Sequence, residues 1–187
     1  MNRYFESSYL VTEILPKDNI DFIQKEIAHL KYLLKNDVNT WKHSETSDYY
    51  FNQRPIGDIR PFPFRGLNIL TEDLKLILSK FNLILDGSRE FVPDQSMEDY
   101  IPIIHQSTSY SSESFAIFYR SDNEYVTDLW FDYNDSLCVK DEKLVICDLL
   151  HFIGQKHSLI LVNWYKEYIF DLSDKAQIWQ FLNELPY

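Results

Sequence analysis

Residues 158–185 read SLILVNWYKEYIFDLSDKAQIWQFLNEL and contain the clearest fold signal in the chain. Two short apolar runs, rich in β-branched and aromatic residues, are typical of strands buried on both faces. Lys166 and Glu167 separate the two runs, which predicts a tight hairpin. Ser173 is a candidate helix N-cap, and apolar residues follow it at helical spacing: Ala176, Trp179 and Leu182. The stretch therefore predicts a β-hairpin followed by a closing helix.

A second hairpin is predicted upstream of the first. Residues 114–119 (SFAIFY) are mostly apolar, and residues 125–133 (YVTDLWFDY) alternate between apolar and polar side chains. Asp122 and Asn123 lie between the two runs and favour a turn. Asp141 can cap a helix that ends near Ile153, with Gly154 as its C-terminal stop.

Two more helices are predicted nearer the N-terminus, at about 18–35 and 72–81, the second capped by Thr71. A first strand ends at Pro16, and residues 83–85 form a short strand that the turn pair Asp86 and Gly87 closes. Residues 106–114 hold five serines and one threonine, which favours an exposed loop.

The predicted fold class is α+β, with a mainly antiparallel sheet built from two hairpins and about three to four helices packed mostly on one face. Residues 1–187 fit a single globular domain. One long loop containing prolines and arginines is predicted at about 36–66, and loops of this length are often functional. Two interpretations stay open: a partner- or anion-binding loop, and a rigid connector whose Phe62 and Phe64 fill the core.

Composition excludes several kinds of protein. Aromatic residues make up 16% of the chain, enough area to fill a sizeable core. The four glycines are scattered, whereas phosphate cradles and nucleophile elbows need clustered glycines. No apolar run approaches the ~18 residues of a membrane helix, and no apolar signal region is found in residues 1–15. Cys138 and Cys147 lack metal-site spacing. We therefore expect a cytoplasmic protein with no membrane partner and no cofactor.

Charge is distributed unevenly along the chain, whose net charge is −11. Residues 1–93 hold 13 acidic and 12 basic residues, whereas residues 94–148 hold 12 acidic residues against Arg120, Lys140 and Lys143. Nucleic-acid binding through the acidic segment is disfavoured because phosphate neutralisation needs Lys and Arg. A basic protein partner is the binding partner that this field favours.

Two groups of residues are candidates for chemistry. Asp128, Asp132 and Asp135 resemble a cation site, because the first two share one face of a strand and hard cations prefer oxygen ligands. His105 lies beside the serine-rich stretch, which leaves hydrolase chemistry open. Neither group has the spacing of a known metal or catalytic motif, so no catalytic or metal-binding residue is assigned and an enzyme remains the alternative.

In size, acidity and lack of catalytic motifs, the chain resembles the immunity proteins of bacterial toxin systems. The resemblance implies an inhibitor that neutralises a basic partner such as a nuclease toxin domain, whose substrate groove an acidic surface can block. The residues expected to bind the partner lie on the second predicted hairpin and just after it: Asp122, Glu124, Asp128, Trp130, Asp132, Tyr133 and Asp135. The aspartates are expected at the surface, with Trp130 and Tyr133 as aromatic anchors.

Overall fold

The computed structural model describes residues 12–36, 61–89, 107–133, 138–164 and 166–184, which form one seven-stranded antiparallel sheet and four α-helices. The strands are β1 (Thr12–Pro16), β2 (Ile84–Arg89), β3 (Ser107–Ser111), β4 (Phe115–Asp122), β5 (Tyr125–Tyr133), β6 (Leu159–Asn163) and β7 (Tyr168–Asp171). The helices are α1 (Ile20–Asn36), α2 (Thr71–Lys80), α3 (Lys140–His157) and α4 (Lys175–Glu184). The predicted α+β class with an antiparallel sheet is confirmed. None of the described helices is both long enough and apolar enough to span a bilayer.

β1 joins the two predicted hairpins into one open sheet with the order β2-β3-β4-β5-β1-β6-β7. Glu13 of β1 pairs with Trp130 of β5 on one side and with Val162 of β6 on the other. All five residues of β1 are buried, because β5 and β6 flank the strand and helices cover both faces of the sheet. The strand does end at Pro16, whereas the predicted residues before Thr12 lie outside the described ranges.

Consecutive strand residues point to opposite faces of the sheet, and each face buries its own apolar cluster. On the three-helix face, α2, α3 and α4 pack against sheet residues such as Ile117, Leu129 and Leu161. On the α1 face, Ile23 and Ile27 pack against Trp130 and Val162. Helices therefore cover both faces, where the sequence predicted a layer mostly on one face.

The serine-rich stretch is a strand, not the exposed loop that its composition favours. β3 pairs with β2 on one side and β4 on the other, and Ser107 and Ser109 are buried. Asp86 and Gly87, predicted as a turn, lie inside β2, where a register shift between Leu85 and Gly87 accommodates them as a bulge. β3 is therefore held in the sheet by pairing on both sides, and β2 by pairing with β3 alone.

Helix boundaries also differ from those predicted. α3 continues past Gly154 to His157, and Ser158, with a φ of 53°, takes the left-handed C-terminal position. α2 begins at Thr71 itself, after Leu70 as N-cap, so Thr71 does not cap it. In α4 the buried side chains are Ile178, Phe181 and Leu182, whereas Ala176 is exposed and Trp179 only half-buried. The apolar stripe was therefore assigned to a slightly wrong face of that helix.

The end of the predicted Pro/Arg loop is anchored to the core. Asn19, which is fully buried, accepts a hydrogen bond from the backbone N–H of Phe62 at 3.1 Å and donates one to its carbonyl at 2.7 Å. Phe64 is buried in a short 3₁₀-helix, Phe64–Leu67, while the Phe62 side chain is half exposed. This anchoring fits the connector interpretation for residues 61–67; the loop's residues 37–60 lie outside the described ranges.

Candidate functional site

The β4–β5 hairpin carries six of the seven predicted binding residues, and Asp135 lies outside the described residues. Asp122 and Glu124 are exposed at its tip, where Asn123 adopts a φ of 55° that suits a tight turn. The Asp122 carboxylate accepts a hydrogen bond from the Asn123 amide at 2.9 Å and lies 2.8 Å from an Arg65 guanidinium nitrogen. The tip therefore presents acidic side chains to solvent, as the sequence predicted.

The two predicted aromatic anchors are buried on opposite faces of the sheet. Trp130 is 2% exposed in the cluster under α1, and Tyr133 is 3% exposed in the cluster under the other three helices. The Tyr133 hydroxyl donates to the Leu182 carbonyl at 3.3 Å, which ties β5 to α4. Neither ring is an exposed anchor, because β5 is an internal strand with both faces covered.

Asp128 and Asp132 are also not the freely exposed acids that the sequence predicted. The Asp128 carboxylate accepts hydrogen bonds from Arg120 Nε at 2.9 Å and from Thr127 Oγ1 at 2.9 Å, and its side chain is only 12% exposed. The same Arg120 guanidinium lies 5.2 Å from the Trp130 ring centroid. Burial raises the pKa of Asp132, since the charged carboxylate loses solvation.

The described residues contain no group of three or more His, Cys, Asp or Glu side chains that could hold a metal ion. Asp128 is paired with Arg120, and its proposed co-ligand Asp135 lies outside the described ranges, as does His105. The enzyme alternative stays a prediction that no observed contact favours.

Glu13 is a buried carboxylate that the sequence reasoning missed. It lies in the central strand, 2% exposed, and accepts a hydrogen bond from Trp164 Nε1 at 3.0 Å. Its pairing with Trp130 makes Asp128 and Asp132 its diagonal neighbours on the α1 face. The signal was available, because one acidic residue interrupts the otherwise uncharged stretch TEILP. With the Arg120–Asp128 pair, Glu13 gives this face a polar patch that is largely buried.

A groove of about 670 Å³ lies on the three-helix face, between the start of α2 and the hairpin tip. Its lining comes from α2 and its N-cap, from the edge strand β2 and its neighbour β3, and from β4 and the turn after it: Leu70, Thr71, Glu72, Lys75, Leu85, Thr108, Tyr119, Ser121, Asn123 and Glu124. Sequence patterns do not predict this groove, because its walls come from segments that are far apart in the chain.

Backbone hydrogen bonds join the start of α2 to the hairpin beside the groove. The N–H of Thr71 donates to the Glu124 carbonyl at 2.8 Å, and the N–H of Val126 donates to the Ile69 carbonyl at 2.9 Å. Thr71, the first residue of α2, therefore lies beside the tip of the hairpin. Glu72, in the first turn of α2, thereby lines the same groove as Glu124 of the acidic tip.

The polar groups of the groove differ in whether they already have hydrogen-bond or ion-pair partners among the described residues. Lys75 Nζ lies 2.7 Å from Glu72 Oε1, and this hydrogen bond raises the pKa of Lys75. Glu124 is exposed and forms no ion pair with any residue that the structure describes. Thr71 is 8% exposed, and its Oγ1 has no hydrogen-bond partner within the described ranges. Burial raises the pKa of Tyr119.

Comparison with protein-family models, with characterised proteins and with solved structures gives no significant match.

Proposed function

We propose that the protein is an acidic protein-binding module, a cytoplasmic inhibitor of the immunity type that neutralises a basic partner such as a nuclease toxin domain. The net charge of −11 supports this proposal, as does its concentration in residues 94–148. An acidic surface draws a basic partner into encounter and repels nucleic acid, the partner's own substrate.

The observation that carries the proposal is the cluster of exposed carboxylates around the groove. The acidic rim, which we define as Glu72, Asp122 and Glu124, is brought together by the hydrogen bonds between the start of α2 and the hairpin. Arg65 and Lys75 pair with two of these three carboxylates, so the rim keeps net negative charge. The proposed docking site is therefore the tip of the hairpin and the groove, and not the stem of the hairpin.

The stem has a different role in this proposal. Trp130 and the Arg120–Asp128 pair belong to the interior of the α1 face. Substitutions there are therefore expected to lower the stability of the fold and not to act directly on binding. The acidic rim can change without loss of the fold, because its side chains are exposed and exposed ion pairs contribute about 0–1 kcal/mol.

The proposal is tested with the purified product of the reading frame next to this gene, a candidate partner if it is basic. Binding is followed by surface plasmon resonance at several salt concentrations. We expect the association rate constant to fall at least tenfold between 0.02 and 0.5 M NaCl, while dissociation changes little, because the Debye length shrinks from ~20 Å to ~4 Å over that range.

Absence of binding, or an association rate that does not depend on salt, would contradict the proposal for that partner. Inhibition is measured in the same preparation: a nuclease partner should lose its activity at one equivalent of this protein. Binding without inhibition would support a binding module but not a neutralising inhibitor.

A further inference from the structure

We propose that the groove receives an arginine side chain of the partner, with Glu124 as its carboxylate acceptor. This inference rests on the proposed function and specifies what the acidic rim recognises. The groove is distinct from the exposed tip itself, because Tyr119 and Thr108 form a floor beneath the rim and Leu85 forms an edge.

The size and walls of the groove suit a long side chain. The volume of about 670 Å³ leaves room for one such side chain. Leu70 and Leu85 line it and are 39% and 53% exposed, which leaves apolar surface uncovered at its sides. The methylene stem of an arginine or lysine can cover such surface while its charged end contacts polar groups.

The charged residues that line the groove have a net charge of −1, which one added cation would balance. Lys75 already pairs with Glu72 at 2.7 Å, so these two lining charges offset each other. Glu124 is then the lining carboxylate without an ion-pair partner among the described residues. A single positive group bound beside Glu124 would balance the charge of the groove.

The polar lining favours a guanidinium over an ammonium group. Thr108, Ser121 and Asn123 add side-chain oxygens to those of the two glutamates. Thr71 contributes a hydroxyl that is buried without a partner among the described residues. A guanidinium carries five N–H donors in a planar fork and can contact several spread acceptors at once, whereas an ammonium is a compact point charge.

The test is an NMR titration of the full chain with three small probes that differ only at the end of the side chain. The probes are the Nα-acetyl N-methylamides of arginine, lysine and citrulline, the last being a neutral analogue of arginine. We expect saturable shifts of the backbone amides at residues 71–75 and 121–124 with the arginine probe. The lysine probe should bind at least threefold more weakly, and the citrulline probe at least tenfold more weakly.

Two variants make the test specific to the groove. Glu124→Gln should weaken arginine binding about threefold, the effect of an exposed charge pair. Glu113→Gln removes an exposed carboxylate in the β3–β4 connection, outside the groove, and should leave binding unchanged. Both side chains are exposed, so neither change should disturb the fold.

Several outcomes would overturn the inference. They are a lack of saturable shifts at these amides, equal binding of the citrulline or lysine probe, and unchanged arginine binding in Glu124→Gln. Failure here is separable from failure of the proposed function. If a partner binds with steep salt dependence but the arginine probe causes no saturable shifts, the proposed function is supported and the arginine site is excluded. If the arginine probe binds saturably but no basic partner binds, the arginine site is supported and the proposed inhibitor function is contradicted.

Discussion

Replacing Gly154 with alanine is expected to lower the free energy of unfolding by about 3 kcal/mol or more, the upper range for overpacking a core. Gly154 lies inside α3, where the helix touches Leu172, the residue just after β7. A Cβ at this position would lie 2.2 Å from the Leu172 Cβ and 2.6 Å from its carbonyl carbon and oxygen. Backbone cannot rotate aside as a flexible side chain can, so helix and strand would have to separate.

Urea denaturation followed by circular dichroism measures this loss, and the chain supplies its own control. Gly66 lies in the short 3₁₀-helix, and a Cβ there would meet no atom within 4 Å. Gly66→Ala is therefore expected to change stability by less than about 0.5 kcal/mol. A similarly small change in both variants would show that α3 does not pack against Leu172 as closely as described.

Trp130→Ala is expected to cost about 3–5 kcal/mol of unfolding free energy, as truncation of a fully buried aromatic does. The ring fills the α1 face between Phe118 and the apolar residues of β6, and Arg120 stacks on it. The sequence predicted Trp130 as an exposed anchor, for which the same substitution would mainly speed dissociation from a partner. Buried in the core, it should instead act on stability.

Trp179→Ala is the matched control, because it removes the same atoms from a half-buried position on α4. We expect it to cost clearly less than Trp130→Ala in the same urea experiment. An equal or larger cost for Trp179→Ala would contradict the assignment of Ile178, Phe181 and Leu182 as the buried face of that helix.

Local sequence patterns were sufficient for the two hairpins and the helix after each. β6 and β7 flank Lys166 and Glu167 as predicted, and Glu167 takes a φ of 61° in the turn. β4 and β5 likewise flank Asp122 and Asn123. In these units, strand and turn signals are neighbours in the chain, so no long-range contact has to be guessed.

Long-range pairing was not predictable in the same way. β3 consists largely of serines, and only its position between β2 and β4 makes it a strand. β1 likewise joins β5 and β6 although more than a hundred residues separate it from either. α3 passes through Gly154, where the absence of a Cβ allows Leu172 to approach closely, whereas a glycine near a helix end predicts termination from sequence alone.

The candidate site was predicted only in part, because the burial of a strand residue also depends on long-range contacts. Even spacing correctly places Asp128, Trp130 and Asp132 on one face of β5, but spacing does not tell whether that face is covered. Since β1 and β4 flank β5 and α1 lies over that face, these residues are interior. Asp122 and Glu124 stay exposed because they lie at or beside the turn, beyond the covered part of the sheet.

The central claim is that the acidic rim at the hairpin tip, and not net charge in general, docks a basic partner. Its most direct test is the association rate constant of two double variants with equal changes of charge. Asp122→Lys with Glu124→Lys alters the tip, and Asp18→Lys with Asp21→Lys alters exposed acids just before and at the start of α1. Surface plasmon resonance at 0.05 M NaCl compares both with the native chain. We predict at least tenfold slower association for the tip variant and less than threefold for the control; equal slowing of both would contradict the claim.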